Sequence, residues 1–260
     1  MKCLFATRLL LTACLMLSFF MSMMAISLII LNSHLRSRVV SCVASIFCRS
    51  CLYCIGIELS VVGEGYDRDK QYLIVANHLS YLDVLCISSV MPSLFVTSIE
   101  IAESAGLGWL CKLGRCIFVD RRKIWNLKSE ITEIERSLVG GFNVVVFPES
   151  TTTDGSSMLP FKSSLIQAAV NTSVDVLPIC INYRKINNME TSLDTRDYVF
   201  WYGDMTFAPH LIALMKVRSV IVELEITGVV SSGSNRKNIT ANAYHKIQER
   251  YVEVVVPVNL

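Results

Sequence analysis

Acidic residues are absent from the first 57 positions of this 260-residue chain, and charge of either sign is absent from Leu9 to Leu31. That uncharged run exceeds the roughly 20 apolar residues a helix needs to cross a bilayer core, so it is not the surface helix of a soluble domain. The ten cysteines lack the spacing of a disulfide framework, which excludes a disulfide-stapled scaffold and fits a reducing compartment. Beyond residue 57 no internal repeat, low-complexity tract or linker divides the chain, so a single large domain is expected there. A G-x-S-x-G pattern is also missing, which removes the strained nucleophile turn of the α/β-hydrolases.

What the chain does have is apolar residues, 52% of the total, and a mean hydropathy of +0.48, concentrated at the N-terminus. Lys2, Arg8, Arg36, Arg38 and Arg49 give residues 1–57 a charge of +5, leaving the remainder at −3. Basic residues beside apolar surface favour anionic headgroups by about 1 kcal/mol each. Lys2 and Arg8 could also head a signal peptide, but the apolar run is too long and no small-x-small site follows it. Leu11–Cys14 resembles a lipoprotein cleavage site, with too short an apolar stretch before it. An uncleaved anchor is therefore expected, with a transmembrane helix over about residues 9–31.

A second apolar stretch, Val39 to Ile57, is broken by Arg49. Each half is too short to span, which points to an interfacial helix over about 39–57. Cys48, Cys51 and Cys54 recur every third residue here; with no fourth ligand nearby they read as packing residues rather than a metal or iron–sulfur site. Basic residues flank the first span almost evenly, so the positive-inside rule does not orient it. The cysteines place the body on the cytoplasmic side, at the inner membrane, where the sequons at Asn171 and Asn238 would carry no glycan.

From residue 58 short apolar runs alternate with amphipathic segments. Strands are expected at Tyr72–Ala76, Leu94–Thr97, Cys116–Val119, Val144–Phe147, Val176–Ile181 and Ser219–Glu225, and helices at Ser80–Val90, Leu127–Val139, Ser163–Val170 and Lys237–Glu253. That alternation predicts an α/β catalytic domain over residues 58–260, with a mostly parallel central sheet flanked by helices.

Three stretches carry chemistry. In Val75–Asp83 (VANHLSYLD) a buried strand delivers His78 to its end, and Asp83 lies five residues on, where a turn into a helix would fold its carboxylate back to the imidazole. Such a carboxylate fixes the ring tautomer. A histidine beside Asn and Ser also fits a plain capping role. In Gly114–Arg121 (GRCIFVDR) a strand ends in Asp120 and Arg121; the planar guanidinium can hold a phosphate bidentately, or be an ordinary surface charge beside Arg122 and Lys123. In Val144–Gly155 (VVVFPESTTTDG) a strand breaks at Pro148 into a loop rich in Ser and Thr. Loops of that kind can present N–H groups and hydroxyls to an anion, or simply turn the chain.

Together these stretches resemble the glycerolipid acyltransferase family, the 1-acylglycerol-3-phosphate acyltransferases and their relatives. Asn77, His78 and Asp83 match its N-H-x4-D block, Phe118–Arg121 its F-V-D-R block, and Phe147, Pro148, Glu149 and Thr151 its F-P-E-G-T block, with Ser150 in the glycine position. Val176–Ile179 is similar to a weaker fourth block, and Trp201–Asp204 to a segment of some bacterial relatives, including acyltransferases of non-phosphorus lysolipids. The resemblance implies transfer of a fatty acyl group from an acyl thioester, either acyl-CoA or acylated carrier protein, to a lysolipid hydroxyl. Its leading acceptor is 1-acyl-sn-glycerol 3-phosphate, giving phosphatidic acid; another lysolipid, such as lyso-ornithine lipid, is the alternative.

In that family reading His78 and Asp83 are the general-base pair, and Arg121, Glu149, Ser150 and Thr151 bind substrate. No metal, cofactor or nucleic acid is implied. The membrane bilayer and, for one donor, acyl carrier protein are the partners. A silent lipid-binding protein and a lipid hydrolase are the rivals from other classes.

Overall fold

The computed structural model describes residues 2–63, 65–104, 106–120 and 124–254. Two long apolar helices come first, α1 (Lys2–Ile29) and α2 (Ser33–Ile55). The second starts six residues before the expected interfacial segment, because the Asn32 side chain accepts the Leu35 N–H and caps it. It is continuous through Arg49 and stops at Gly56, whose φ of +80° suits a left-handed cap.

Among the described residues the sheet has eight strands. They are β1 (Ile57–Val62), β2 (Leu73–Ala76), β3 (Ser93–Ser98), β4 (Ile117–Val119), β5 (Asn143–Val146), β6 (Val176–Ile186), β7 (Met189–Glu190) and β8 (Val220–Ile226). Their order is β1-β8-β6-β2-β5-β3-β4, with β7 pairing β6. Pairings from β6 through β2, β5 and β3 to β4 are all parallel. Strand β8 runs antiparallel to β6 and carries β1 parallel to itself at the edge. All six strands expected from the sequence are present within a few residues. The parallel edge strand β1 was not anticipated, since its pairing with β8 depends on residues about 160 positions away.

The middle of the sheet is covered on both faces, as a parallel sheet requires. Alternate residues of β2 enter opposite cores. Ile74 and Ala76 pack with Leu82 and Ile87 of α3 (Leu82–Val90), on the side of α2. Leu73 and Val75 pack with Ile134 and Leu138 of α6 (Leu127–Val139) and with Ile239 and Ile247 of α10 (Arg236–Gln248). Between these lie α4 (Ile99–Glu103), α5 (Leu107–Leu113), α7 (Gln167–Thr172), α8 (Leu193–Arg196) and α9 (Phe207–Leu214). Helix α7 begins four residues later than expected, because Leu165 and Ile166 form a tight turn before it.

The two-helix hairpin is tied to this domain at both ends. Arg8, buried in α1, donates to the carbonyls of Val217 and Arg218. At the far end His34 Nε2 bonds the Gly140 carbonyl at 2.8 Å. Gly56 makes room for the first tie: a Cβ there would stand 1.9 Å from Arg8 Nη2.

Candidate functional site

Strands β2 and β5 are parallel neighbours, so their C-terminal ends bring the first and third motifs to one edge of the sheet. Strand β4 reaches the same edge two strands beyond β5, about 14 Å from β2 at a 4.8 Å spacing. Arg121, which follows it, lies outside the described residues.

After Ala76 the chain turns. Asn77 locks the turn by accepting the Ile181 N–H at 2.8 Å and donating to the Ile181 carbonyl at 2.9 Å. His78 then projects from the strand end, and its Nδ1 lies 2.9 Å from Asp83 Oδ2. Helix α3 starts at Leu82 rather than Ser80 because the Leu79 and Ser80 N–H groups point back to that carboxylate, at 2.7 and 2.9 Å. The Tyr183 hydroxyl donates to Oδ1 at 2.7 Å. Asp83 is fully buried, and four donors converge on it. An acceptor-only carboxylate makes Nδ1 the protonated nitrogen and leaves Nε2 with its lone pair. Among the described residues Nε2 has no hydrogen bond, and the His78 side chain keeps 19% exposure. Phe147 stacks on the ring with centroids 3.8 Å apart and planes 11° apart, fixing its orientation.

Glu149 is buried, and its two oxygens accept the backbone N–H groups of His78 and Leu159, each at 2.8 Å. It clamps the histidine turn to the loop after β5. Burial pushes its carboxyl up to about 7; the two N–H donors oppose the rise and nearby Asp83 adds to it. The Thr153 N–H donates to the His78 carbonyl at 3.0 Å, closing the same loop over the site. Ser150 has φ +65°, the left-handed conformation for which glycine is suited. Thr151 is exposed beside it.

Sequence reasoning missed Tyr183 and the aromatic wall. Tyr183 continues the inward-facing register of Leu177, Ile179 and Ile181; a tyrosine in that aliphatic series was the available signal. The Trp201 backbone N–H donates to the Leu79 carbonyl at 3.0 Å. That contact brings Trp201 and Phe207 around Tyr81, whose hydroxyl lies 3.1 Å from His210 Nδ1.

Residues 58–182 match the family model described as Acyltransferase. The chain is 32% identical over 195 residues to the lyso-ornithine lipid O-acyltransferase of Rhizobium meliloti, covering 72% of this chain and 66% of that one. It is 26% identical over 211 residues to the 1-acyl-sn-glycerol-3-phosphate acyltransferase of Neisseria meningitidis, covering 80% and 78%. Among solved structures, the 1-acyl-sn-glycerophosphate acyltransferase PlsC of Thermotoga maritima shares the fold, with a TM-score of 0.68 at 18% identity over 96% of this chain and 94% of that one. A strand-end imidazole backed by a buried carboxylate thus sits on an α/β sheet preceded by two helices long and apolar enough to cross a membrane. The chain belongs to the glycerolipid acyltransferase family.

Proposed function

We propose that this chain is a membrane-bound lysolipid O-acyltransferase in which His78, held by Asp83, is the general base. The observation that carries this reading is the 2.9 Å contact between His78 Nδ1 and Asp83, with Nε2 left as an acceptor. Nε2 takes the proton of the acceptor hydroxyl as its oxygen attacks the thioester carbonyl. The tetrahedral intermediate collapses, the C–S bond breaks, and the departing thiolate of CoA or carrier protein recovers the proton from the imidazolium. Asp83 stabilises that cation in between. Positioned proton transfer of this kind contributes about 10²–10⁴-fold. No acyl-enzyme is formed.

Arg121, with Thr151 and the Ser150 turn, would hold the polar end of the acceptor, while Glu149 positions the His78 turn through its backbone. With both ends of the hairpin tied to the domain, α1 and α2 would lie beside the α3-covered face of the sheet and hold the domain against the membrane surface where both acyl substrates reside, on the cytoplasmic side of the inner membrane. The motifs favour 1-acyl-sn-glycerol 3-phosphate as acceptor. Lyso-ornithine lipid is the second reading, supported by the higher identity to the Rhizobium enzyme than to the Neisseria one.

Radiolabelled acyl-CoA and acylated carrier protein, offered with both lysolipids in detergent micelles, decide the acceptor. Labelled phosphatidic acid supports the first, labelled ornithine lipid the second. Free fatty acid alone would replace both with a hydrolase. With phosphatidic acid as product, Arg121→Ala should chiefly raise the acceptor KM.

A further inference from the structure

At the sheet edge opposite His78 lies a pocket of about 360 Å³. Tyr72, just before β2, and Asn143, the first residue of β5, both line it, while His78 follows β2 at its other end. Six residues of extended chain separate Tyr72 from His78, about 20 Å, so this is not the acyl-transfer site.

Its lining combines three cations, Arg49, Arg68 and Lys70, with the apolar or aromatic side chains of Val61, Tyr66 and Met91. Arg49 uses one N–H to bond the Ser89 carbonyl at 2.8 Å, which aims the guanidinium from α2 across the end of α3. Arg68 lies 5.9 Å from the centre of the Tyr66 ring. Among the described residues none of the three forms an ion pair. Asp67 and Asp69 share the loop but do not line the pocket, and the Asp67 carboxylate accepts the Asp69 N–H.

The position of Arg49 says what faces this pocket. Leu35, Arg38, Cys42, Ile46, Arg49 and Tyr53 are spaced by three and four residues along α2 and are all exposed, so they form one outward stripe. Ile46 is 66% and Tyr53 85% exposed, and Val61 at the pocket is 45% exposed. A soluble surface does not concentrate apolar exposure around three cations; a membrane interface does, with apolar groups entering the acyl region and cations at headgroup depth. The stretch also lies at the C-terminal half of the segment that lacks acid.

We propose that this pocket binds the phosphate of an anionic phospholipid headgroup, with Arg49, Arg68 and Lys70 as its ligands. The proposal rests on the membrane-association reading and is independent of acyl transfer. The shared chemistry is a phosphate ester, and a soluble phosphate is the competing source.

The test uses the full chain and vesicles of phosphatidylcholine alone or mixed with phosphatidylglycerol. Substituting Arg49→Gln, Arg68→Gln and Lys70→Gln together should weaken partition into the anionic vesicles by about a hundredfold and leave partition into neutral vesicles unchanged. A charge-matched control with Lys128→Gln, Lys216→Gln and Lys237→Gln should retain the anionic preference. Acyl transfer to micellar lysolipid in uncharged detergent should be unaffected by either set, which also shows that both variants fold. Equal losses in the two sets would overturn the pocket in favour of general charge attraction. A wild type that binds inorganic phosphate at constant ionic strength yet partitions equally into anionic and neutral vesicles would overturn the lipid as the source and leave a soluble phosphate ester as the ligand.

Discussion

Tyr183, on β6, donates its hydroxyl to Asp83 Oδ1 at 2.7 Å, while His78 Nδ1 meets Oδ2 of the same carboxylate at 2.9 Å. The tyrosine therefore sets the plane of the acid, and the acid sets the imidazole. Burial beside Asp83 pushes the phenol well above its ordinary ionisation range, so it remains a donor at every working pH. Tyr183→Phe deprives a buried acceptor of one donor, which costs about 1–3 kcal/mol of stability. Its kcat should fall by about tenfold with acceptor KM little changed, since the imidazole loses orientation and the binding loops do not. Steady-state kinetics in micelles check this; a KM effect with intact kcat would contradict it.

Ser150 occupies a backbone conformation with φ +65° in the position where the family motif has glycine. A left-handed conformation costs a non-glycine residue roughly 1–2 kcal/mol. Ser150→Gly should raise the thermal midpoint and, if the turn holds the acceptor as proposed, change the relative kcat/KM for the two lysolipids, because the turn gains freedom and loses a hydroxyl. Unchanged stability and unchanged acceptor ratio would remove Ser150 from the specificity argument.

His78 and Asp83 were legible because a five-residue spacing at the end of an apolar strand is local information, and the turn that joins them is closed by local N–H groups. The core strands were legible as aliphatic runs. Tyr183 was not, because its value lies in contact with a residue 100 positions earlier. Strand β1 likewise depends on β8 for its existence. Arg8 looked like part of a basic flank to an apolar helix; only the tertiary structure brings it to the Val217 and Arg218 carbonyls. Glu149 was expected to bind substrate, and the structure gives both its oxygens to backbone donors.

Glu149 supplies a pH test. Its carboxyl lies at about 7 in the folded protein against an ordinary value of 4.5. Between these values the folded state holds a proton that the unfolded chain has released. The contribution of this group to stability is therefore full below pH 4.5 and lost as pH rises to 7, on the order of 3 kcal/mol in total. Glu149→Gln should remove that portion of the pH slope, while leaving one N–H facing an amide. Urea denaturation at pH 5 and pH 7.5 reads the difference; an identical slope in both proteins would contradict the buried, partly protonated carboxyl.

Arg8→Met keeps the apolar character of α1 but removes the donors to Val217 and Arg218. Leaving buried carbonyls without partners costs about 1–3 kcal/mol. Protease sensitivity of the hairpin should increase while vesicle binding persists, and limited proteolysis on membranes checks it. Unaltered cleavage would mean that the hairpin is held by packing alone.

The central claim is that Nε2 of His78 takes the proton of the acceptor hydroxyl. The most direct measurement is single-turnover acyl transfer from radiolabelled acyl-CoA or acylated carrier protein, whichever donor the wild type uses, to the preferred lysolipid, comparing wild type with His78→Ala at matched vesicle occupancy. The general-base reading predicts a loss of about 10²–10⁴-fold in the transfer step with membrane binding and acceptor affinity retained. Transfer within a few-fold of wild type would contradict it and leave the His78–Asp83 pair as a structural turn.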